Sequence, residues 1–286
     1  MSQNQPGHND RLIKQFPRAT ELPSQSPLFW VSQKDRYLRQ LLITDIEALT
    51  KRRLIVYYTD CAGPGIIDWS DPKYLGEMLH DAAGQEFDLM IETNGGQTDA
   101  TEAVVSLLLK TCPNFRVIVP YRAKSNGTLM ALAAASILMG EKSELGPVDP
   151  NLVLNGNQQV PCFFIVNSPP GTVDPIMVQV AVSAIQQTQK LASTVLAGGM
   201  MKGKPQTDID DVVQKLSTRA TYHSHGSVID HIEASALGLN VTPFKTGDPI
   251  WDRLWLLRCM LDHDARRDGY AKIFETSRLS HSIVIQ

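Results

Sequence analysis

The chain has 286 residues, 43% of them hydrophobic and 20% charged, with a formal net charge of −3. That length suits one large α/β domain or two small ones, and the slight negative charge gives no electrostatic reason to expect nucleic acid or an anionic membrane surface as partner. Four cysteines (Cys61, Cys112, Cys162 and Cys259), none in a C-x-x-C spacing, argue against a disulfide framework and for a reducing, cytoplasmic setting.

Residues 1–28 are rich in Pro, Ser, Gln and Asn and read as an extended or disordered arm. The stretch Met1 to Asp10 is polar and lacks the apolar core of a secretory signal. From Trp30 to Leu49 the spacing of Tyr37, Leu38, Leu41, Leu42, Ile46 and Leu49 predicts an amphipathic helix. Arg53 to Thr59 is β-branched and aromatic, hence a buried strand. Asp71 as N-cap and Pro72 at the first helical position open a helix to about Ala83. Phe87 to Thr93 reads as a second strand, Thr98 to Lys110 as a helix, and Phe115 to Pro120 as a third strand. Ser125 to Ala135 follows as a helix and Ile137 to Met139 as a short strand. The longest apolar stretch, Thr128 to Met139, falls short of the roughly 20 residues a membrane helix needs.

Alternating strands and helices at this spacing predict a mostly parallel sheet with right-handed crossovers. Ligand sites in such sheets lie where strand C-termini meet helix N-termini. Beyond Pro150 the pattern changes. Leu152 to Leu154 and Pro161 to Val166 flank Asn155-Gly156-Asn157, a hairpin signal. Helices are expected at Pro175 to Leu196, Asp208 to Ser217, Val228 to Leu237 (closed by Gly238) and Trp251 to Asp264. The organisation is therefore an arm (1–28), a catalytic-size α/β domain (29–245), and a C-terminal helix and tail (246–286) whose apolar residues Trp251, Leu254, Trp255, Leu257, Met260 and Leu261 either form an oligomer contact or pack on their own domain.

Two glycine-bearing turns follow two successive strands: Thr93-Asn94-Gly95-Gly96-Gln97 and Lys124-Ser125-Asn126-Gly127-Thr128. Each leads into a helix, so unpaired backbone N–H groups face outward with a helix dipole behind them, a site for an oxygen carrying negative charge. Ser125 as nucleophile, with N–H donors from Gly96 and Asn126, supplies the minimum kit for acyl transfer. The plainer alternative is that Ser125 is only an N-cap, a role serine favours. The pattern is not the G-x-S-x-G elbow.

Ile91-Glu-Thr-Asn-Gly-Gly96 and Ala123-Lys-Ser-Asn-Gly-Thr-Leu-Met-Ala-Leu-Ala133 resemble the oxyanion turn and serine-bearing helix start of the Clp protease proteolytic subunit and signal peptide peptidase A. With Met139-Gly-Glu-Lys-Ser-Glu-Leu-Gly-Pro-Val-Asp-Pro150, His223-Ser-His-Gly226 and Leu237-Gly-Leu-Asn-Val241, the chain is similar, over roughly residues 50 to 242, to the serine dehydrogenase proteinase family of that superfamily. The resemblance implies a Clp/crotonase-like fold of repeated ββα units, Ser125 as nucleophile, Gly95 and Gly96 as the oxyanion turn, a peptide or protein substrate, and a homo-oligomer. Asn126 departs from the small residue usual there, which narrows the site or adds a polar contact.

The sequence leaves the base open. The Clp protease carries a histidine some two dozen residues after its serine; here Asp149 stands near that place, able to orient a base. His225 is the first choice, since imidazole titrates in the useful range. Lys124 is an alternative, although adjacent residues point in different directions, so contact with a carboxylate or the substrate is the other expectation. Lys142 and Lys202 are weaker. His223, His225 and His231 as a metal cluster is the lesser reading, with no H-E-x-x-H beside them, and no cofactor is expected. A crotonase-like acyl-CoA enzyme and an inactive assembly subunit are the competing functions. A nicotinamide enzyme is not implied, because Gly95-Gly96 does not fit G-x-G-x-x-G.

Overall fold

The computed structural model describes residues 26–154 and 158–285. Most of the arm expected at residues 1–28, and the Asn155-Gly156-Asn157 turn, lie outside the described residues. The first helix, α1 (Pro27–Thr50), opens where Ser26 Oγ accepts from the Phe29 N–H and proline takes the first turn. The strand–helix alternation follows: β1 (Arg53–Thr59), α2 (Asp71–Asp81), β2 (Phe87–Glu92), α3 (Thr98–Thr111), β3 (Arg116–Val119), β4 (Arg122–Ala123), α4 (Asn126–Leu132), β5 (Ser136–Met139) and β6 (Glu144–Leu145). Then come β7 (Asn151–Leu154), β8 (Gln158–Pro161), α5 (Cys162–Val166), α6 (Pro175–Gly198), α7 (Gln206–Ser217), α8 (His231–Ala236), β9 (Val241–Pro243), α9 (Pro249–Asp268), β10 (Lys272–Glu275) and β11 (Ser280–Ile283).

The fold is mixed α/β around a mostly parallel seven-stranded sheet of order β11-β10-β1-β2-β3-β5-β9. From β1 to β9 neighbours are parallel, with Leu89 between Ile55 and Val117, and Val117 beside Ile137. Side chains alternate between two buried faces, as a parallel sheet covered on both sides requires. Ile55, Leu89, Ile91, Val117, Val119 and Ile137 face one core with α2, α3 and α4. Leu54, Val56, Met90, Ile118 and Leu138 face the other, closed by Ile43 and Ile46 of α1 and Leu254, Leu257 and Leu261 of α9. The segment 246–286 is thus joined to the sheet: α9 covers its second face, and β10 and β11 extend it antiparallel from β1.

A narrow second sheet stands at the strand ends. β4 and β6 pair parallel, Thr93 bridges to Ala123, and Leu145 bridges to Ile229. It gives the unit β3–β4–α4 the order strand, short second strand, helix, and it positions the site.

Three local expectations change. The second arm of the hairpin is Gln158–Pro161, and Cys162–Val166 is helical. Cys162 and Ile165, three apart, bury against Ala181 while Phe164 stays exposed, which is a helical spacing hidden in an apolar run. The Val228–Leu237 helix begins only at His231, because Ile229 exchanges both backbone bonds with Leu145 and Asp230 caps the helix through the Ile232 and Glu233 N–H groups. Asp71 is the first residue of its helix, not the cap. Its carboxylate is turned inward to the Tyr57 hydroxyl and the Lys272 ammonium.

Candidate active site

Ser125 stands between β4 and α4 with φ 53° and ψ −120°. Few non-glycine residues adopt that conformation, which costs about 1–3 kcal/mol, so the surroundings must impose it. They do so through backbone bonds. The Lys124 N–H donates to the Thr93 carbonyl at 2.9 Å, Thr93 N–H to Arg122 O at 3.1 Å, and Gly127 N–H to Lys124 O at 2.7 Å. The buried Thr128 hydroxyl lies 2.7 Å from the Ala123 carbonyl and accepts from the Gly146 N–H at 3.0 Å. Ser125 makes no side-chain capping bond. Its residue lines a cavity of about 590 Å³ shared with Gly95, Gly96, Asn126 and His225.

The glycine turn closes one side of that cavity. A Cβ on Gly95 would sit 2.8 Å from the Ser125 Cβ, and one on Gly96 would sit 2.2 Å from the Ile67 carbonyl oxygen. Only glycine brings the two turns this close. Ile67 N–H donates to Gly95 O, and Gln97 N–H to Ile67 O, each at 2.9 Å. This is one parallel bridge, so the N–H and C=O of Gly96 itself point to the opposite edge, towards Asn126. Asn126 confirms the direction: its Nδ2 donates to Gly96 O at 2.5 Å and to Thr98 Oγ1 at 3.3 Å. As the first residue of α4, Asn126 has a backbone N–H with no intrahelical acceptor.

The opposite wall carries the histidine. His225, in the loop between α7 and α8, makes an Nδ1 contact of 2.8 Å with Asp149 Oδ1. Asp149 is 2% exposed. Its other oxygen accepts from Arg219 Nε at 2.7 Å, and Arg219 also donates to the His223 carbonyl at 2.9 Å. Arg219 therefore ties the carboxylate to the loop that bears the imidazole. Nothing in the spacing of Arg219 distinguishes it in sequence from a surface arginine.

Lys124 turns away from the cavity. Its ammonium donates to Leu145 O and Ser227 O, both at 2.9 Å, and lies 3.3 Å from Glu144. Burial lowers its pKa, with Glu144 opposing. Lys142 lies over the Trp255 ring. His223 turns its Nδ1 to the Arg219 carbonyl. Among the described residues, no three His, Cys, Asp or Glu side chains come together as a metal site. Val148, Pro150, Asn151, Val153 and Gln159 line the cavity beside His225, so the β7–β8 hairpin supplies part of the wall.

A serine at a strained strand-to-helix turn, beside a glycine-bearing strand end of a mostly parallel α/β sheet, defines the structural class of this chain. Residues 75–248 match the family of ClpP-like SDH-type serine proteinases, and the chain belongs to that family. It is 34% identical over 159 residues to an uncharacterised protein of Methanocaldococcus jannaschii, covering 54% of this chain and 52% of that protein. A second uncharacterised protein of the same organism is 42% identical over 65 residues, 23% of this chain and 22% of that one. The chain thus matches about half or less of the length of these relatives. Among solved structures, ClpP1 from Listeria monocytogenes is 14% identical with a TM-score of 0.43, covering 71% of this chain and 98% of that chain. A mutant of the 1510-N membrane-bound stomatin-specific protease is 16% identical with a TM-score of 0.41, covering 69% and 82%. Among the described residues, no helix is long and apolar enough to cross a membrane.

Proposed function

We propose that this chain is an ATP-independent serine endopeptidase that acts through an acyl-enzyme on Ser125. One observation carries the reading: the imidazole of His225, held at Nδ1 by buried Asp149, stands on the wall of the cavity that Ser125 also lines. With Nδ1 donating to the carboxylate, Nε2 is the free basic nitrogen. In the first step His225 Nε2 takes the Ser125 hydroxyl proton as Oγ bonds to the substrate carbonyl carbon. The carbonyl oxygen gains the negative charge, and the N–H groups of Gly96 and Asn126 hold it. His225 then gives its proton to the amine as the C–N bond breaks. Water repeats the sequence to release the acid.

The substrate in this reading is a peptide or protein, and the working form is a homo-oligomer. Exposed Phe164, Ile176 and Val180 on α5 and α6 support a contact between copies there. Light scattering that gives only monomer mass removes the oligomer from the reading.

The catalytic assignment is tested with a fluorophosphonate probe on the folded protein. Wild type is expected to label at Ser125, Ser125→Ala not at all, and His225→Ala much more slowly. Equal labelling of wild type and Ser125→Ala, or none in either, rejects it.

A further inference from the structure

The two backbone donors assigned to the oxyanion belong to different segments, one after β2 and one at the start of α4. A hole of this kind works only if both N–H groups already point at one spot before charge develops. Each peptide plane beside Gly96 needs an anchor, because glycine leaves its own dihedrals loosely restrained. The Gly95–Gly96 plane is anchored at the Gly95 carbonyl by Ile67 N–H. Since a trans peptide sets its C=O and N–H antiparallel, that bond aims the Gly96 N–H away from Ile67. The Gly96–Gln97 plane is anchored at Gln97 N–H by the Ile67 carbonyl, and at its other end by Asn126 Nδ2.

Asn126 is thus bonded to the oxyanion turn through its side chain while contributing the second donor through its backbone. We propose that the Asn126 carboxamide is a positioning residue, bridging to the Gly96 carbonyl and so fixing the separation and direction of the two oxyanion donors. The contact to Thr98 Oγ1, on the first residue of α3, steadies the amide from the far side. Asn126 is 6% exposed, so solvent does not easily replace either bond. The polar side chain at this position has a use that a small residue would not supply: it couples the start of α4 to the strand end it must face. This role rests on the serine-hydrolase reading above.

The test uses Asn126→Ala, which retains the backbone N–H and removes only the bridge, and Asn126→Asp, which retains the shape and removes the donor. Three readouts are taken on active-site-titrated protein: the labelling rate of Ser125 by fluorophosphonate, kcat and KM on a peptide ester, and inhibition by a peptidyl boronic acid. Expected are a kcat lower by about 10–100-fold, the scale of a small misplacement of catalytic groups, KM within about threefold, and boronate affinity falling in parallel with kcat/KM. Asn126→Asp is expected to be at least as impaired, and either variant suffices if the other does not fold. A folded Asn126 variant with wild-type kcat and labelling rate, even one melting at lower temperature, overturns the role while leaving the hydrolase reading intact. A wild-type protein unlabelled at Ser125 overturns the hydrolase reading and the role with it.

Discussion

The Lys124 ammonium donates to the Ser227 carbonyl at 2.9 Å, so the short strand leading to Ser125 is bonded to the loop that carries His225. The same nitrogen holds Leu145 O, four residues before Asp149. Gly146 makes room for the lysine stem: a Cβ there would lie 2.6 Å from Lys124 Cδ. Lys124→Met removes the donor from two carbonyls and from Glu144. A loss of about 2–3 kcal/mol is expected from the unsatisfied buried groups, or roughly 5–10 °C in Tm at about 2–4 °C per kcal/mol. Calorimetry and labelling together check this. Labelling should fall in the folded variant too, because the direct bond from the serine segment to the Ser227 carbonyl of the histidine loop is lost.

Asp149→Asn leaves the shape of the site and removes the charge that selects the His225 tautomer. Peptide hydrolysis is expected to fall by about 10³–10⁴-fold. KM should change little, since Asp149 lies behind the imidazole and is not among the residues lining the cavity. Steady-state kinetics on a fluorogenic peptide gives both numbers. An Asp149→Asn enzyme as active as wild type would remove Asp149 from the mechanism.

Gly96→Ala places a methyl carbon 2.2 Å from the Ile67 carbonyl oxygen, a backbone atom that cannot swing aside. The strand end must shift and carry its N–H with it. Expected is a drop in kcat of about 100-fold or more, the scale of one lost oxyanion donor. Far-ultraviolet circular dichroism should remain that of wild type.

Cysteine reactivity gives a test by pH. Burial pushes the Cys61 thiol up to about 12, with Glu92 adding to the effect, and burial pushes Cys162 up to about 11. A raised thiol pKa means less thiolate at neutral pH, so both should resist alkylation at pH 8, where the thiolate fraction of Cys61 is on the order of one in ten thousand. Their iodoacetamide rates should climb about tenfold per pH unit up to about pH 10 and equalise in denaturant. Mass spectrometry of the alkylated peptides reads each site separately.

The strand–helix alternation from Arg53 to Met139 was legible because parallel strands buried on both faces read as unbroken apolar runs, as in Leu54-Ile-Val-Tyr-Tyr58. The two glycine turns were legible because close approach of backbones leaves only glycine. The second sheet was not, since β4 and β6 have two residues each and their pairing depends on third parties, Thr93 and Ile229. The His225–Asp149 contact spans 76 residues of sequence and has no local signature. The titration range of imidazole and the resemblance of the Ser-His-Gly run bring His225 forward as a base, whereas Arg219 has no such run around it. The direction of the Lys124 side chain followed from simple alternation: a residue next to a cavity-lining serine faces the other way.

The pairing of β10 with β1 has a consequence for how the chain comes to be folded. Lys272 reaches Asp71 across 201 residues, and Arg39 reaches Glu275 across 236. During synthesis the first strand keeps a bare edge, and the carboxylate of Asp71 stays without its cation, until β10 has emerged from the ribosome. The Asp71 carboxylate, which also accepts from the Asp68 N–H next to Ile67, gains that cation only when Lys272 is in place. A nascent chain halted anywhere short of Lys272 would carry Ser125 and His225 on a sheet whose first strand still lacks its antiparallel neighbour.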